Sequence, residues 1–143
     1  MTKKDLDKIR DINQLIYLQT WRIYDLRARA AIGGRALDPI GGSHGSPANR
    51  LELIYEKIDK EQRKYDDLCK KRDAEVEKLK VASEILDDKQ RSIIFLRYVE
   101  TSYGHPLDWA QVIEIAEKRH KIQERRVYEL HHIAVHKLES YNI

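Results

Sequence analysis

The 143-residue chain contains little cysteine, phenylalanine, methionine or proline, with one, one, one and three residues of these types. The single cysteine, Cys69, excludes an intrachain disulfide, and this usage is typical of proteins from a reducing compartment. No apolar run approaches the roughly 20 residues of a membrane span, and the first residues hold no apolar stretch of signal-peptide length. The sequence therefore predicts a soluble, cytoplasmic protein with no membrane partner.

The chain also has no strong excess of charge of either sign. It carries 27 Lys and Arg residues against 24 Asp and Glu residues, and residues 87–143 contain nine of each sign. Bulk charge therefore gives no reason to expect a nucleic acid partner. The distribution is locally uneven, because residues 118–137 hold six basic side chains against two acidic ones. Any argument for nucleic acid binding must start from that segment.

Glycine is concentrated in one place, since five of the six glycines fall within residues 33–47 together with Pro39 and Pro47. Glycine frees the backbone and proline blocks helix continuation, so this segment is predicted to be a flexible hinge at which the chain reverses direction. It lacks the glycine order, the preceding strand and the following Lys-Ser/Thr of the phosphate-binding loops. A nucleotide-binding role is not expected.

Two long amphipathic helices are predicted on either side of this hinge. In the first, over about residues 5–32, the apolar side chains recur at steps of three and four, and Leu15, Leu18 and Trp21 widen the stripe. The second begins at Pro47, with Ser46 as its cap, and runs to about Leu86. Its 3-4-3-4 seam is typical of coiled coils and comprises Leu51, Ile54, Ile58, Glu61, Tyr65, Leu68, Arg72, Glu75, Leu79, Ala82 and Leu86. Such long helices must pack against each other, a second copy or a partner.

The remaining residues, 87–143, divide into three shorter helices. Asp87 or Asp88 can cap the first and Asp108 the second, while the third starts near Ile122 or Gln123. In this last helix the apolar residues recur at steps of three, four and four, at Val127, Leu130, Ala134 and Leu138. No segment alternates convincingly enough to predict a strand. The fold class is therefore predicted to be all-α.

These three helices carry a specific resemblance. The stretch from Leu86 to Glu100, LDDKQRSIIFLRYVE, resembles the opening helix of region four of bacterial sigma factors. The stretch from Leu107 to Glu117, LDWAQVIEIAE, looks like the first helix of its helix-turn-helix. The stretch from Val127 to Leu138, VYELHHIAVHKL, resembles the recognition helix, with His131 at the histidine position of the pattern.

Together with the preceding hinge and coiled coil, the chain is similar to small proteins of phages of Gram-positive bacteria, related to late-gene regulators of the ArpU and RinA type. The resemblance implies a long antiparallel helical hairpin over residues 1–86, with its hinge at 33–47. A sigma-like helix-turn-helix domain follows over residues 87–143. It further implies a transcriptional regulator that binds promoter DNA, contacts RNA polymerase and forms a homo-oligomer, with a dimer favoured.

One departure from the pattern concerns the turn of the helix-turn-helix. Between Trp109 and Val127 the chain is about four residues longer than usual, and no glycine marks the turn. Gln123 lies where the pattern has a serine cap. The orientation of the recognition helix therefore depends on how this longer segment folds.

The residues expected to contact DNA lie around this turn and on the outward face of the last helix. Arginine pairs with guanine in the major groove, and cations beside the turn meet phosphates. We expect the contacting residues to be Arg119, Lys121, Glu124, Arg125, Arg126, Tyr128 and His132, with Lys118 and Lys137 as further phosphate contacts.

No enzyme, cofactor or metal site is predicted. His132 and His136 are four residues apart on a helix, but no acidic residue completes a His-Glu-x-x-His arrangement and no second cysteine exists. The two leading alternatives to a regulator are a small-terminase-like DNA-packaging subunit and a pure interaction protein that holds a host or phage protein through its coiled coil. The first alternative predicts a ring of many subunits, whereas the second predicts that Arg125 and Arg126 are dispensable.

Overall fold

The structure, a computed structural model, describes residues 1–32 and 47–141. In this part of the chain the fold is mostly helical, as predicted, with five α-helices and one pair of two-residue strands. The elements are α1 (Lys3–Ile32), α2 (Pro47–Ala82), α3 (Asp88–Tyr98), β1 (Thr101–Ser102), β2 (His105–Pro106), α4 (Trp109–His120) and α5 (Glu124–Ser140). The predicted hinge, apart from Pro47, and the Ser46 cap lie outside the described residues. No helix in the described ranges has both the length and the apolar composition to cross a membrane.

Helix α1 buries a narrower stripe than its sequence suggests. Its apolar residues at three- and four-residue steps are buried, among them Leu6, Ile9, Ile12, Ile16 and Ile23. Leu15, Leu18 and Trp21, which widen the apolar stripe in the sequence, are not part of the buried face, because their side chains are 50%, 50% and 55% exposed. A single neighbouring helix covers only part of an apolar circumference this wide.

Helix α2 keeps its predicted seam inside along its whole length. All eleven seam positions from Leu51 to Leu86 are buried or half-buried, including the three polar ones. The α-helix ends at Ala82, earlier than predicted, and a short 3-10 helix over Ser83–Ile85 follows. Arg91 of α3 donates hydrogen bonds to the carbonyls of Ser83 and Leu86, so a side chain satisfies backbone carbonyls at both ends of the 3-10 helix.

The described chain forms two compact units, and α1 and α2 contribute to both. One unit comprises Met1–Leu15 and Lys70–Ile143, and the other comprises Ile16–Cys69. We call them the terminal unit and the central unit. The division predicted between residues 86 and 87 stays a prediction about sequence pattern.

The terminal unit has two apolar clusters. The first joins Leu6 and Ile9 of α1 with residues of α2, α3, α5 and the link before α3, namely Leu79, Leu86, Ile94, Tyr98, Ala134 and Leu138. The second lies among α3, α4 and α5 and comprises Ile93, Leu96, Leu107, Val112, Ala116, Ile122, Val127 and Leu130. The first fifteen residues therefore belong to the same unit as the three C-terminal helices, and Leu6 and Ile9 share a cluster with α3 and α5.

In the central unit the helices are tied by polar residues at seam positions. The side-chain amide of Gln19, itself buried, donates to the backbone carbonyl of Glu61 at 2.8 Å and to its carboxylate at 2.5 Å. Arg22 and Lys64 lie 3.7 and 3.3 Å from the same carboxylate. The hydrogen bond from Gln19, with smaller help from Lys64, lowers the pKa of Glu61 below its ordinary value. The carboxylate of the seam residue Glu61 is therefore paired with side chains of the central unit.

The short helices of the terminal unit begin at strong caps. Asp87 and Asp108 accept hydrogen bonds from the backbone N–H groups of Gln90 and Gln111, and each glutamine side chain accepts from the N–H of its capping aspartate. These reciprocal bonds form capping boxes, so the caps predicted at Asp87 and Asp108 are confirmed. Helix α5 differs, because its N-cap residue Gln123 makes no side-chain capping bond.

Replacing Gln123 by a residue whose side chain caps α5 should stabilise the protein. Gln123 already has the extended backbone of an N-cap, with φ −77° and ψ 157°. A serine there reaches the N–H groups of the first turn, so we expect Gln123→Ser to raise the free energy of unfolding by about 0.5–1 kcal/mol. Urea denaturation followed by circular dichroism measures this change. Asp108→Ala serves as the reciprocal control and should lower stability by a similar or larger amount.

Two short strands, which no pattern in the sequence indicates, lie between α3 and α4. Ser102 pairs with His105 and Thr101 with Pro106, so only Tyr103 and Gly104 form the loop. Both loop residues have positive φ, 51° and 83°, as the two central residues of a type I′ turn do. Two-residue strands are too short to show alternation, which explains why the pattern predicted none.

Candidate nucleic-acid interface

A three-residue connection, Lys121 to Gln123, joins α4 to α5. Lys121 adopts the left-handed conformation, with φ 54° and ψ 40°, and its N–H donates to the carbonyls of Ala116 and Glu117. Ile122 is buried in the second cluster and fixes the connection to the core. The chain therefore makes a tight turn without glycine, and Lys121 bears the conformational cost that a glycine would avoid.

Helix α5 has one buried face and one exposed face. Val127, Leu130, Ala134 and Leu138 are almost fully buried, as their spacing predicts. The residues expected to contact DNA are all exposed on this helix or its flanks, and they are Arg119, Lys121, Glu124, Arg125, Arg126, Tyr128 and His132. The first turn of α5 thus presents two arginines and a glutamate to the surroundings.

Several of the expected DNA contacts are engaged by acidic side chains. Glu129 lies 3.4 Å from Arg125 and 3.1 Å from Arg126, so one carboxylate pairs with both arginines. Arg119 lies 3.2 Å from Glu100. Lys121 has no ion-pair partner within residues 1–32 and 47–141. The local basic excess is therefore partly neutralised within the protein.

The two lysines expected to contact phosphates also have partners. The Lys118 ammonium lies 2.9 Å from a carboxylate oxygen of Glu114, and this hydrogen bond raises the pKa of the lysine. Lys137 is half-buried and donates to the side chain of Gln90 at 3.0 Å. Lys118 stays exposed at the surface of α4, whereas Lys137 holds α5 to α3.

An aromatic cluster, which no pattern in the sequence indicates, packs against residues of α5. Trp109 of α4 lies with its ring 5.1 Å from that of Tyr128 and 4.8 Å from that of His131. The Arg97 guanidinium stacks 4.4 Å from the Trp109 ring centre, a cation–π contact. Tyr128 is therefore oriented by Trp109, while His132 projects from the exposed face of α5.

His131 has a different role from its neighbour His132. Its Nε2 lies 2.7 Å from the Tyr98 hydroxyl, and the two rings stack. Burial, reinforced by the nearby Arg97 charge, lowers the pKa of His131 to about 4, and burial raises the pKa of Tyr98 to about 12. At neutral pH both groups are uncharged, and in the tautomer with an unprotonated Nε2 the histidine accepts a hydrogen bond from the Tyr98 hydroxyl. The pair joins α3 to α5.

This neutral histidine makes stability depend on pH. Between pH 6.5 and pH 4 the unfolded chain binds a proton at His131 that the folded chain resists, so the free energy of unfolding falls as the pH is lowered through that window. We expect a loss of about 1–2 kcal/mol between pH 7 and pH 5, after discounting for partial solvent screening. Urea denaturation at the two pH values measures it.

The control for this prediction is His131→Phe, which keeps an aromatic ring between Tyr98 and Trp109 but cannot titrate. Its stability should change much less between pH 7 and pH 5 than that of the unaltered chain. Glu61 and Glu75 do not affect the comparison, because both carboxyl groups are present in both proteins and their lowered pKa values place most of their effect below about pH 5. An equal pH dependence in both proteins would contradict the assignment to His131.

The described residues include no group of three or more His, Cys, Asp or Glu side chains that could hold a metal ion. His132 and His136 are exposed on α5, and Cys69 is half-buried on α2. The best-defined chemical features of the terminal unit are therefore the tight turn and the exposed first turn of α5.

Comparison of the chain with protein-family models, curated proteins and solved structures found no significant match. Its function is therefore inferred from its residues and their geometry.

Proposed function

We propose that this chain is a non-enzymatic regulator of the phage type that binds promoter DNA in the cytoplasm. In this proposal α4 and α5 form a helix-turn-helix, and α5 enters the major groove with its N-terminal end first. The observation that carries it is the exposed pair Arg125 and Arg126 on the first turn of α5, directly after the tight turn at Lys121. Recognition helices of this class read bases from that end.

The chemistry of the surface supports this function. The Arg125 side chain is 93% exposed, so it can reach base edges or phosphates without rearrangement of the core. Lys121 and Arg119 flank the turn, where cations add affinity and salt dependence without sequence preference. Each good bidentate arginine–guanine contact contributes roughly 1–3 kcal/mol of discrimination.

The ion pairs of the surface set limits on affinity. Glu129 must release Arg125 and Arg126, or turn aside, before either arginine can pair with a base. DNA therefore replaces existing carboxylate contacts rather than meeting free cations, which reduces the net gain. We expect binding that is moderate at physiological salt and strongly weakened as salt rises.

The proposal includes the two long helices as an antiparallel hairpin that brings two copies together. In the central unit Gln19 bonds to Glu61, whereas Leu26, further along α1, lines a groove with Ile54, which is earlier in α2. This opposite order supports antiparallel pairing. A dimer would present two recognition helices to two half-sites, and RNA polymerase is proposed as the second partner at the promoter.

Binding of DNA from upstream of the operon that encodes the chain tests the proposed function. A labelled duplex is titrated at about 50 mM salt, with helicity checked by circular dichroism, and fluorescence anisotropy or gel mobility shift gives the dissociation constant. We expect binding that an unlabelled specific duplex displaces better than an unrelated one. The absence of binding by a folded sample at low salt would overturn the proposal.

The exposed apolar residues of the central unit favour a second candidate, a pure interaction protein. If the chain only holds a protein partner, replacing both Arg125 and Arg126 by alanine leaves its function unchanged, whereas Ile54→Asp or Ile58→Asp abolishes it. The opposite outcome, with function lost in the arginine variant, supports DNA binding.

A further inference from the structure

The central unit buries few apolar side chains for its length. Among its described residues only Ile16, Ile23 and Ile58 are buried apolar residues. Twice as many large apolar side chains are exposed, and these are Leu18, Trp21, Tyr24, Ile32, Leu53 and Tyr55. Helices in water derive most of their stability from packing an apolar face, so this unit is incomplete by itself.

The exposed residues of α1 are not scattered. Leu18, Trp21, Asp25, Ala28 and Ile32 follow one another at steps of three, four, three and four, which is a coiled-coil seam. We call this set the outer seam. The side chains that contact α2, such as Gln19 and Arg27, lie between residues of the outer seam in the sequence. Helix α1 therefore carries two seams, and α2 covers one of them.

Aromatic contacts give the outer seam a defined surface. Trp21 makes edge-to-face contacts with Tyr17 and Tyr24, at ring-centre distances of 6.3 and 5.7 Å. Trp21 is nonetheless 55% exposed and Tyr24 is 66% exposed. Tryptophan and tyrosine in such ordered, half-exposed positions are typical anchors of protein interfaces.

The charges beside the outer seam are of both signs. Asp25 pairs with Arg29 at 3.2 Å, and Arg22 lies one position after Trp21. In a parallel pairing of two copies, Tyr17 and Tyr24 would flank Arg22 and Arg29 of the other copy, since these are the positions that meet across a coiled coil. Asp25 would meet Asp25 of the other copy in this register, a polar layer that costs stability. Because Arg22 pairs with Glu61 and Arg29 pairs with Asp25, the charges beside the seam are already balanced within each copy, which favours an apolar partner surface without strong charge, such as the same seam of a second copy.

We propose that the outer seam of α1 is the surface on which a second copy of this chain docks. The inference rests on the part of the proposed function that makes the chain self-associate, and it does not depend on DNA contact. The exposed apolar area of the seam is on the order of 500 Å² per copy, so two copies bury about 1,000 Å², at the lower limit for a specific interface. The dimer should therefore dissociate on dilution.

Sedimentation of the full chain over roughly 1 to 300 µM tests the docking surface. We expect a monomer–dimer equilibrium with a dissociation constant on the order of micromolar to tens of micromolar. Trp21→Glu places a charge in the seam and should weaken the dimer at least about 30-fold. Because Trp21 is half-exposed, the helices of the variant should persist, which circular dichroism verifies. Val81→Glu, at a residue 67% exposed on α2, is the matched control and should leave the equilibrium unchanged.

A second readout follows the surface directly. The chain has two tryptophans, and in a Trp109→Phe background only Trp21 fluoresces. Its emission should shift to shorter wavelength as the concentration rises through the dissociation constant, since dimerisation removes water from the ring. A shift that does not track the sedimentation data would overturn the assignment.

The outcomes are distinct from those of the DNA experiment. A chain that stays monomeric throughout overturns the outer seam as the docking surface of a second copy, and the seam is then assigned to contact with a different protein. A dimer that Trp21→Glu does not weaken also overturns it. Arg125→Ala with Arg126→Ala should leave the monomer–dimer equilibrium unchanged. Failure of DNA binding with intact dimerisation would therefore contradict only the proposed DNA contact.

Discussion

Alanine at both Arg125 and Arg126 should weaken binding to the operon-upstream duplex by about 30- to 1,000-fold. The two side chains stand on the exposed first turn of α5, and loss of arginine contacts to bases or phosphates removes roughly 1–3 kcal/mol each. Two such losses add to roughly 2–6 kcal/mol, and the expected loss of binding free energy lies in the lower half of that range because both arginines already pair with Glu129. Anisotropy titrations at one fixed salt concentration measure the change.

Two further variants show whether α5 itself carries the effect. Glu129→Gln removes the carboxylate that holds both arginines and should strengthen DNA binding by about 3- to 10-fold. Arg63→Ala removes an exposed charge from the central unit and should change the affinity less than about threefold. If Arg63→Ala weakens binding as much as the double variant does, the interaction is general electrostatic attraction and α5 is not a recognition helix.

Ile9→Ala should destabilise the three C-terminal helices by about 2–5 kcal/mol. Ile9 is fully buried in the cluster that contains Leu79, Ile94 and Leu138, so alanine leaves a cavity among residues of four helices. Trp109 reports on this unit, because it packs against Tyr128 and His131. Urea denaturation followed by Trp109 fluorescence, in a Trp21→Phe background, gives the change in the free energy of unfolding.

The control for Ile9→Ala is Val81→Ala, which truncates a side chain that is 67% exposed. It should alter stability by less than about 0.5 kcal/mol. If Ile9→Ala leaves the Trp109 transition in place, the helices after residue 86 fold without α1. That result would favour the domain division predicted from the sequence.

Local patterns in the sequence were sufficient for most of the helices. The seam of α2, the apolar steps of α5 and the caps at Asp87 and Asp108 all depend on neighbours three or four residues away, and such neighbours can be read from one chain. The pairing of Glu129 with Arg125 and Arg126 could have been expected on the same basis, from their spacing of four and three. These ion pairs follow from spacing alone, whereas the count of basic side chains in residues 118–137 does not show them.

Other features depend on contacts that no local pattern contains. The packing of Leu6 and Ile9 with Leu138, and the bond between Tyr98 and His131, join residues far apart in the chain. The width of the α1 stripe showed how much apolar surface exists, but not how much of it α2 would cover. The left-handed backbone at Lys121 was hidden for a related reason, since a lysine gives no sign of positive φ.

The place of residues 1–15 in the terminal unit has a consequence for the order of events during synthesis. Lys3 bonds to the side chain of Glu139, 136 positions later. At the usual rates of about 5–20 residues per second, the ribosome needs roughly 7 to 27 seconds to make the partners of the first residues. Until then the cluster around Leu6 and Ile9 lacks Ala134 and Leu138, whereas the central unit can form from consecutive residues. A nascent chain of this protein therefore holds Leu6 and Ile9 in an incomplete core until α5 has been made.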